Sequence, residues 1–320
     1  MSRIVSLRKT YFQSWEEVLA SFLLFRKAQG NSKRTIEDYR YQVGHFFRSY
    51  PAIHSPQIWE NKMLRESILS YLGKYESPVT FNLRLSSLKI FFQWAITEGL
   101  LTSNPTEGLR KRKASPRIVN IPEKVLSHLL QLPDRNTFSG LRDYGLLLLQ
   151  LDTGIRPGEA LKLKIEDFEM KSGTINVNSK VAKTRTSRTL FLSRPTTKVL
   201  TELISLRPQE WDRAPIFCTC EGQPFSTHSW GRRIIESYQE KVGMKITPYM
   251  LRHSFALAFL RNGGNIFALQ RIMGHTSLEM TKRYLALTEQ DIKEAAFLAS
   301  PLNTLLEKPS RKRVRTIYRN

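Results

Sequence analysis

Four segments in the second half of the chain carry residues whose types and spacing suit phosphate chemistry. In DTGIRPGEALKL, Gly154 ends one helix and Pro157 suits the first turn of the next. Arg156 lies between them, where free helix N–H groups and a guanidinium fork converge on an anion. The same arginine is equally suited to a structural ion pair with Glu159 or Asp152. In a second segment Lys180, Lys183, Arg185 and Arg188 crowd the tip of an expected hairpin. A long ammonium side chain there either stays solvated or reaches a phosphate and protonates a leaving oxygen. In TPYMLRHSFALAFL, Pro248 opens a helix that carries Arg252, His253 and Phe255. In LQRIMGHTSLEMTKRYLAL, Gly274 ends a helix, His275 occupies the turn, and Thr276 with Glu279 has capping-box spacing. That spacing predicts Tyr284 about two turns along the new helix. The ordinary fate of such a tyrosine, one of eleven here, is an amphipathic core position.

These residues need a scaffold, and the apolar spacing supplies one. From Ser14 to Trp94 it is helical: one helix through Val18, Leu19, Phe22 and Phe25, a second through Ile36, Tyr39, Val43, Phe46 and Phe47. A third is expected near Met63 to Tyr75, and a fourth through Leu85, Leu88, Phe91, Phe92 and Ala95, ending at Gly99. Ser14 with Glu17 and Thr35 with Asp38 are the expected start signals. The stretch Asn104 to Pro122 combines prolines with Arg110, Lys111, Arg112, Lys113 and Arg117, and it reads as a basic linker. Beyond it Leu141 to Leu151 is apolar almost all round, a buried helix that stops at Gly154. Ile175 and Val177 then alternate with polar residues, and Leu190 to Leu192 resume the pattern after a basic tip, which argues a β-hairpin. The expected organisation is a helical domain over 11–103, a linker over 104–122, a mixed α+β domain with a small antiparallel sheet over 123–300, and a basic tail over 301–320.

Composition narrows the partner. The 320 residues contain 50 Lys and Arg against 28 Asp and Glu, a formal charge of +22. With no long apolar segment, that excess points to nucleic acid and away from a membrane. The two cysteines, Cys218 and Cys220, are too close together for an ordinary bridge and too few for a disulfide framework or cysteine zinc site. A reducing, cytoplasmic setting is the expectation.

Taken in order, T-G-x-R-x-x-E, K-T-x-x-S-R, L-R-H-S-F-A, G-H-x-S and a tyrosine nine residues after that last histidine resemble the catalytic domain of the tyrosine recombinase (phage integrase) family. A helical, SAM-like core-binding domain and an N-P-x-x-G-L linker complete the likeness, which covers most of the chain. The resemblance implies a two-domain, mainly α protein that cleaves and rejoins DNA without metal, nucleotide or other cofactor. Arg156 and Arg252 would bind the scissile phosphate, Lys183 would protonate the departing 5′ oxygen, and His275 would donate a further hydrogen bond. Tyr284 would be the nucleophile, forming a 3′-phosphotyrosyl link, with Glu159 behind the first arginine. The pattern departs from the family at Tyr249, which stands where a histidine is usual. Help with the phenolic proton would then come from His253, Tyr249 or water. Lys180 fits the lysine spacing of other members and remains the alternative to Lys183.

The resemblance further implies double-stranded DNA with inverted-repeat core sites, a tetramer on paired sites, accessory DNA-bending factors and a place on the nucleoid. A helix through Ile292, Ala295, Ala296, Phe297 and Leu298 either docks on a neighbouring subunit or packs on its own domain. Integration, excision or transposition of a mobile element is the expected task, with Xer-type dimer resolution as the alternative. A type IB topoisomerase or a non-catalytic DNA-binding protein on the same fold are the competing classes, and a metal-dependent nuclease is disfavoured by the absence of H-x-E or H-x-x-x-H spacing.

Overall fold

The protein is described by a computed structural model over residues 12–114, 120–179, 186–285 and 296–305. It divides into two compact units at Ser115/Pro116, inside the basic stretch. No helix among the described residues is long and apolar enough to cross a membrane.

The first unit is built from α1 (Trp15–Ala28), α2 (Lys33–Arg48), α3 (Asn61–Gly73) and α4 (Pro78–Thr97). Its core is unusually aromatic. Phe22, Phe46, Phe47, Phe91 and Phe92 are fully buried, Trp15 and Trp59 stack on opposite sides of Phe47 at 5.4 and 5.2 Å, and Phe22 meets Phe91 edge-on at 5.3 Å. Large rings bury much area for little side-chain entropy, which lets four short helices hold together. Two start signals differ from expectation. Ser14 is the α1 N-cap, but its side chain makes no capping bond; Glu17 instead accepts from the Gln13 N–H at 2.7 Å. Helix α2 begins earlier than Thr35, because Ser32 Oγ accepts from the Thr35 N–H at 3.2 Å. The start of the expected linker packs on this unit: Lys89 donates to the Leu109 carbonyl at 2.5 Å, Arg65 to that of Glu107 at 2.8 Å, and Arg112 lies 3.9 Å over the Phe81 ring.

The second unit contains α5 (Glu123–Gln131), α6 (Phe138–Thr153), α7 (Pro157–Ala160), a three-stranded sheet, α8 (Arg194–Ser205), α9 (Thr227–Ile234), α10 (Glu240–Val242), α11 (Pro248–Arg261), α12 (Ile266–Met273) and α13 (Glu279–Lys282). The strands β1 (Phe168–Glu169), β2 (Thr174–Val177) and β3 (Arg188–Phe191) run antiparallel in sequence order. Ile175 pairs with both Phe168 and Leu190, and Val177 with Arg188. The expected hairpin is therefore present, and β1 adds a third strand too short to show any periodicity. Helix α6 is the spine of the unit. It buries Leu146, Leu147 and Leu149, packs on α8 and α11, and ends at Gly154, which takes the left-handed conformation at φ 59°. A Cβ at Gly154 would strike the Phe255 ring, so only glycine lets α11 come this close. This helical protein with a small antiparallel sheet has the expected two-domain fold.

Candidate active site

Sharp helix ends gather the site within the second unit. Gly154 turns the chain out of α6 and makes Arg156 the N-cap of α7, with Pro157 in the first helical position. The guanidinium of Arg156 does not point into solvent. It is 7% exposed, donates from Nη1 to Glu159 Oε1 at 3.1 Å, and from Nη2 to the Gly274 carbonyl at 2.8 Å. The anion-binding and ion-pair readings of this arginine thus describe one arrangement, in which Glu159 orients the fork. The other oxygen of Glu159 accepts from Arg188 Nη2 at 2.6 Å, and Arg188 Nε donates to the Ile272 carbonyl at 2.8 Å.

Helix α11 brings the second arginine. Thr247 caps it by accepting from the Met250 N–H at 3.3 Å, and buried Gln150 on α6 binds the Pro248 carbonyl at 3.2 Å while accepting from Trp230 Nε1 at 2.8 Å. With its first turn fixed, α11 buries Leu251, Arg252 and Phe255. Arg252 Nη1 donates to the Gly154 carbonyl; Nη2 donates to the Met273 carbonyl at 2.8 Å and to His275 Nε2 at 3.0 Å. Burial, then the neighbouring Arg156, pulls its pKa down to about 9, against the opposing pull of Tyr284 and Glu159. A cation held this way, by carbonyl dipoles and an imidazole, gains strongly from an arriving anion.

His275 follows Gly274, which ends α12 at φ 60°. Its Nδ1 lies 2.8 Å from Thr281 Oγ1. Burial first, then Arg252, Arg156, Arg283 and Arg188, push its pKa down to about 4, so the ring is neutral at pH 7. The sequence reading of the next helix needs correction. Helix α13 starts at Glu279 after Leu278, without the Thr276 box, and ends at Lys282. Tyr284 therefore sits just past a single turn, not two turns along a helix.

Tyr284 is 3% exposed, and its hydroxyl is 2.7 Å from His253 Nδ1. Its ring lies parallel to that of His275 with centroids 6.4 Å apart, and Arg283 lies 5.6 Å from its ring centre. Burial raises the phenol pKa, while Arg252, Arg283 and Arg156 draw it back down. His253 is held to a pKa of about 4 by burial, then by Arg283 and Arg252. A neutral imidazole beside a protonated phenol can accept its hydrogen bond.

The structure thus brings together Arg156, Glu159, Arg252, His253, His275 and Tyr284. Tyr249 is on the first turn of α11, half exposed and outside this hydrogen-bonded set. Lys183, like Lys180 and Arg185, lies outside the described residues. Sequence reasoning passed over Arg188 as part of a basic tip. The pleat held the signal, since Arg188 and buried Leu190 share one face of β3. It also passed over Thr281. A groove of about 1040 Å³, lined by Arg188, Phe191, Phe267, Gly274, His275 and Thr276 among others, opens beside the site.

Comparison with known proteins agrees with this layout. The model of the phage integrase family matches residues 120–291, and that of the phage integrase N-terminal SAM-like domain matches 19–99. Tyrosine recombinase XerA of Pyrococcus furiosus is 30% identical, over 91% of this chain and 96% of its own length. Tyrosine recombinase XerC of Thermodesulfovibrio yellowstonii is 28% identical, over 89% and 96%. The solved Tn1549 transposon integrase in complex with transposon right end DNA shares the fold at TM-score 0.69 and 21% identity, covering 90% of this chain and all of that one. A lambda integrase tetramer bound to a Holliday junction superposes at TM-score 0.66 and 17% identity, over 87% and 82%. The chain belongs to the phage integrase family of tyrosine recombinases, whose chemistry is the breaking and rejoining of DNA strands.

Proposed function

We propose that the protein is a site-specific strand transferase in which Tyr284 attacks a DNA phosphate, forms a 3′-phosphotyrosyl bond and releases a 5′ hydroxyl. The observation that carries this reading is the enclosure of the Tyr284 hydroxyl beside His253, next to two arginines whose guanidiniums are already positioned by Glu159 and by carbonyls. A phenol with an ordinary pKa near 10 is a weak nucleophile. His253 accepts its proton through Nδ1, and Arg156 and Arg252 stabilise the charge that builds on the phosphate oxygens. His275 donates a further bond to one of those oxygens. Lys183 is the proposed acid for the leaving 5′ oxygen, with Lys180 as the alternative. Tyr249, exposed at the start of α11, is placed to contact DNA more readily than to take the proton. Phosphotyrosine conserves the energy of the broken bond, so a second 5′ hydroxyl reseals the strand without a nucleotide or metal. DNA enters along the groove beside Arg188 and His275, and Tyr284 is presented to it by movement of the short turn that carries it.

The domains proposed for this work are 11–103 for core binding, 104–122 as linker, 123–300 for catalysis and 301–320 as a basic tail. Four strand cleavages on two duplexes call for four subunits on paired inverted repeats, with DNA-bending factors setting direction, in the cytoplasm. Integration, excision or transposition of a mobile element is the proposed task, in keeping with the fold shared with a transposon integrase. Dimer resolution is the second reading, favoured by Xer relatives that match over nearly their whole length. Tyr284→Phe decides the chemistry: the variant binds a nicked duplex carrying its inverted-repeat core site and forms no covalent adduct. An adduct formed by that variant, or none by the wild type, sinks the proposal. Relaxation of a supercoiled plasmid lacking that repeat, at undiminished rate, places the protein with the type IB topoisomerases.

A further inference from the structure

The hydrogen bonds around His275 have a direction that its proposed task reverses. A guanidinium only donates, so His275 Nε2, 3.0 Å from Arg252 Nη2, is an acceptor. In the neutral ring the proton is then on Nδ1, and it is donated to Thr281 Oγ1 at 2.8 Å. Both hydrogens of Arg252 Nη2 are engaged, one by His275 and the other by the Met273 carbonyl. Donation from His275 to a phosphate requires the opposite ring tautomer, with Nε2 protonated and Nδ1 accepting. Only a partner that both accepts and donates can serve Nδ1 in the two states, and a hydroxyl does so by rotating. Thr281 is fully buried, so water does not replace it there.

We propose that Thr281 is a positioning residue that switches the tautomer of His275 when a DNA phosphate enters the site, an inference that rests on the strand-transfer reading above. On arrival the phosphate takes over the Arg252 Nη2 hydrogen that His275 had accepted. Nε2, relieved of its donor, takes a proton from a water molecule and points it at the phosphate, and the hydroxide so formed is neutralised by the proton that Nδ1 releases through the Thr281 hydroxyl. The ring stays neutral, and the Thr281 hydroxyl turns from acceptor to donor. The charged groups that bear on His275 are Arg252, Arg156, Arg283 and Arg188, and their cationic character opposes a doubly protonated ring during the exchange.

The test uses the full chain, ¹⁵N-labelled at histidine, in the Tyr284→Phe background that halts the reaction before covalent bonding. The free protein is expected to show a proton on His275 Nδ1. The complex with a nicked duplex carrying its inverted-repeat core site is expected to show it on Nε2. A free protein protonated at Nε2, or a complex protonated at both nitrogens, overturns the proposal. Kinetically, with Tyr284 restored, Thr281→Val should keep DNA affinity within about twofold and lose about tenfold in the rate of adduct formation at saturating DNA, as loss of a group orienting a working histidine does. Thr281→Ser should restore that rate, and adding Thr281→Val to His275→Ala should cost nothing further. A full-speed Thr281→Val enzyme with an inert Tyr284→Phe counterpart removes this inference and leaves the strand-transfer reading in place. An active Tyr284→Phe enzyme removes both.

Discussion

The catalytic unit contains two buried carboxylates that each bridge two arginines, and the two clusters end differently. Asp143, fully enclosed on α6, accepts from Arg142 Nη2 at 2.7 Å, Arg233 Nε at 2.8 Å and the Tyr238 hydroxyl at 2.7 Å. Arg142 is finished by the Cys218 carbonyl at 3.1 Å and by the Phe225 ring 4.4 Å away. Tyr238 is held protonated by burial and by that carboxylate. Asp143, Arg142 and Tyr238 are closed off from solvent, and only Arg233 reaches it. Glu159 also takes two guanidiniums, Arg156 and Arg188, but Arg188 Nη1 is buried without a hydrogen-bond partner among the described residues. A third guanidinium, Arg252, adjoins them and rests on carbonyls and an imidazole. The Asp143 cluster spends its polarity on packing, whereas the Glu159 cluster keeps an excess of positive charge for a ligand to neutralise.

If that contrast is right, breaking the closed cluster should damage stability most. Asp143→Ala leaves two guanidiniums and a phenol without their acceptor, and it should cost about 3–5 kcal/mol, the usual penalty for removing one partner of a buried ion set. Urea unfolding followed by circular dichroism measures it, and adduct formation per folded molecule should be unchanged. A loss below about 1 kcal/mol would show that the cluster is not a packing element.

The converse substitution is next in size and acts on rate. Arg252→Met removes a buried cation that has no carboxylate of its own, while keeping an unbranched apolar stem of similar length. Adduct formation should fall by about a hundredfold to a thousandfold, as when one preorganised donor to a developing oxyanion is lost. The melting temperature should stay near that of the wild type, because the desolvation cost of the cation vanishes with it. A drop in stability matching that of Asp143→Ala would erase the distinction between the two clusters.

The same contrast shows what a sequence can express. Arg156, Arg252, His275 and Tyr284 were legible through the order of their motifs, which carries the family resemblance, and Gly154, Pro157, Pro248 and Gly274 mark the helix ends that position the two arginines and His275. Arg142 and Asp143 were hidden inside a run read as an apolar helix, since a charge fully satisfied in a core leaves no periodic mark. Arg188 was grouped with a basic tip that is either solvated or reaches a phosphate, although it shares the inward face of β3 with Leu190. Capping signals misled at Thr35 and Thr276, where Ser32 and Leu278 take the cap position. Short polar patterns compete with tertiary packing, and over a one-turn helix such as α13 packing decides.

Titration should sharpen the comparison further, with the smallest effect. The open cluster is flanked by two histidines, His253 and His275, whose folded pKa values lie at about 4, and the closed one shows no histidine among its hydrogen-bond partners. In the unfolded chain a histidine titrates near pH 6.5. Above that pH the rings are neutral in both states and favour neither. As pH falls from about 6.5 towards 4 the unfolded chain takes up protons that the folded site refuses, so stability falls with falling pH and levels below the folded value. Other groups titrate across the same range, so the observable is a difference. The melting temperature of the wild type minus that of a His253→Asn, His275→Asn variant should fall as the pH is lowered from 7 to 4, whatever the sign of the offset at pH 7. Parallel curves would mean that the rings accept protons in the folded state. The open cluster would then tolerate added positive charge, which contradicts the excess of cations that sets it apart from the cluster at Asp143.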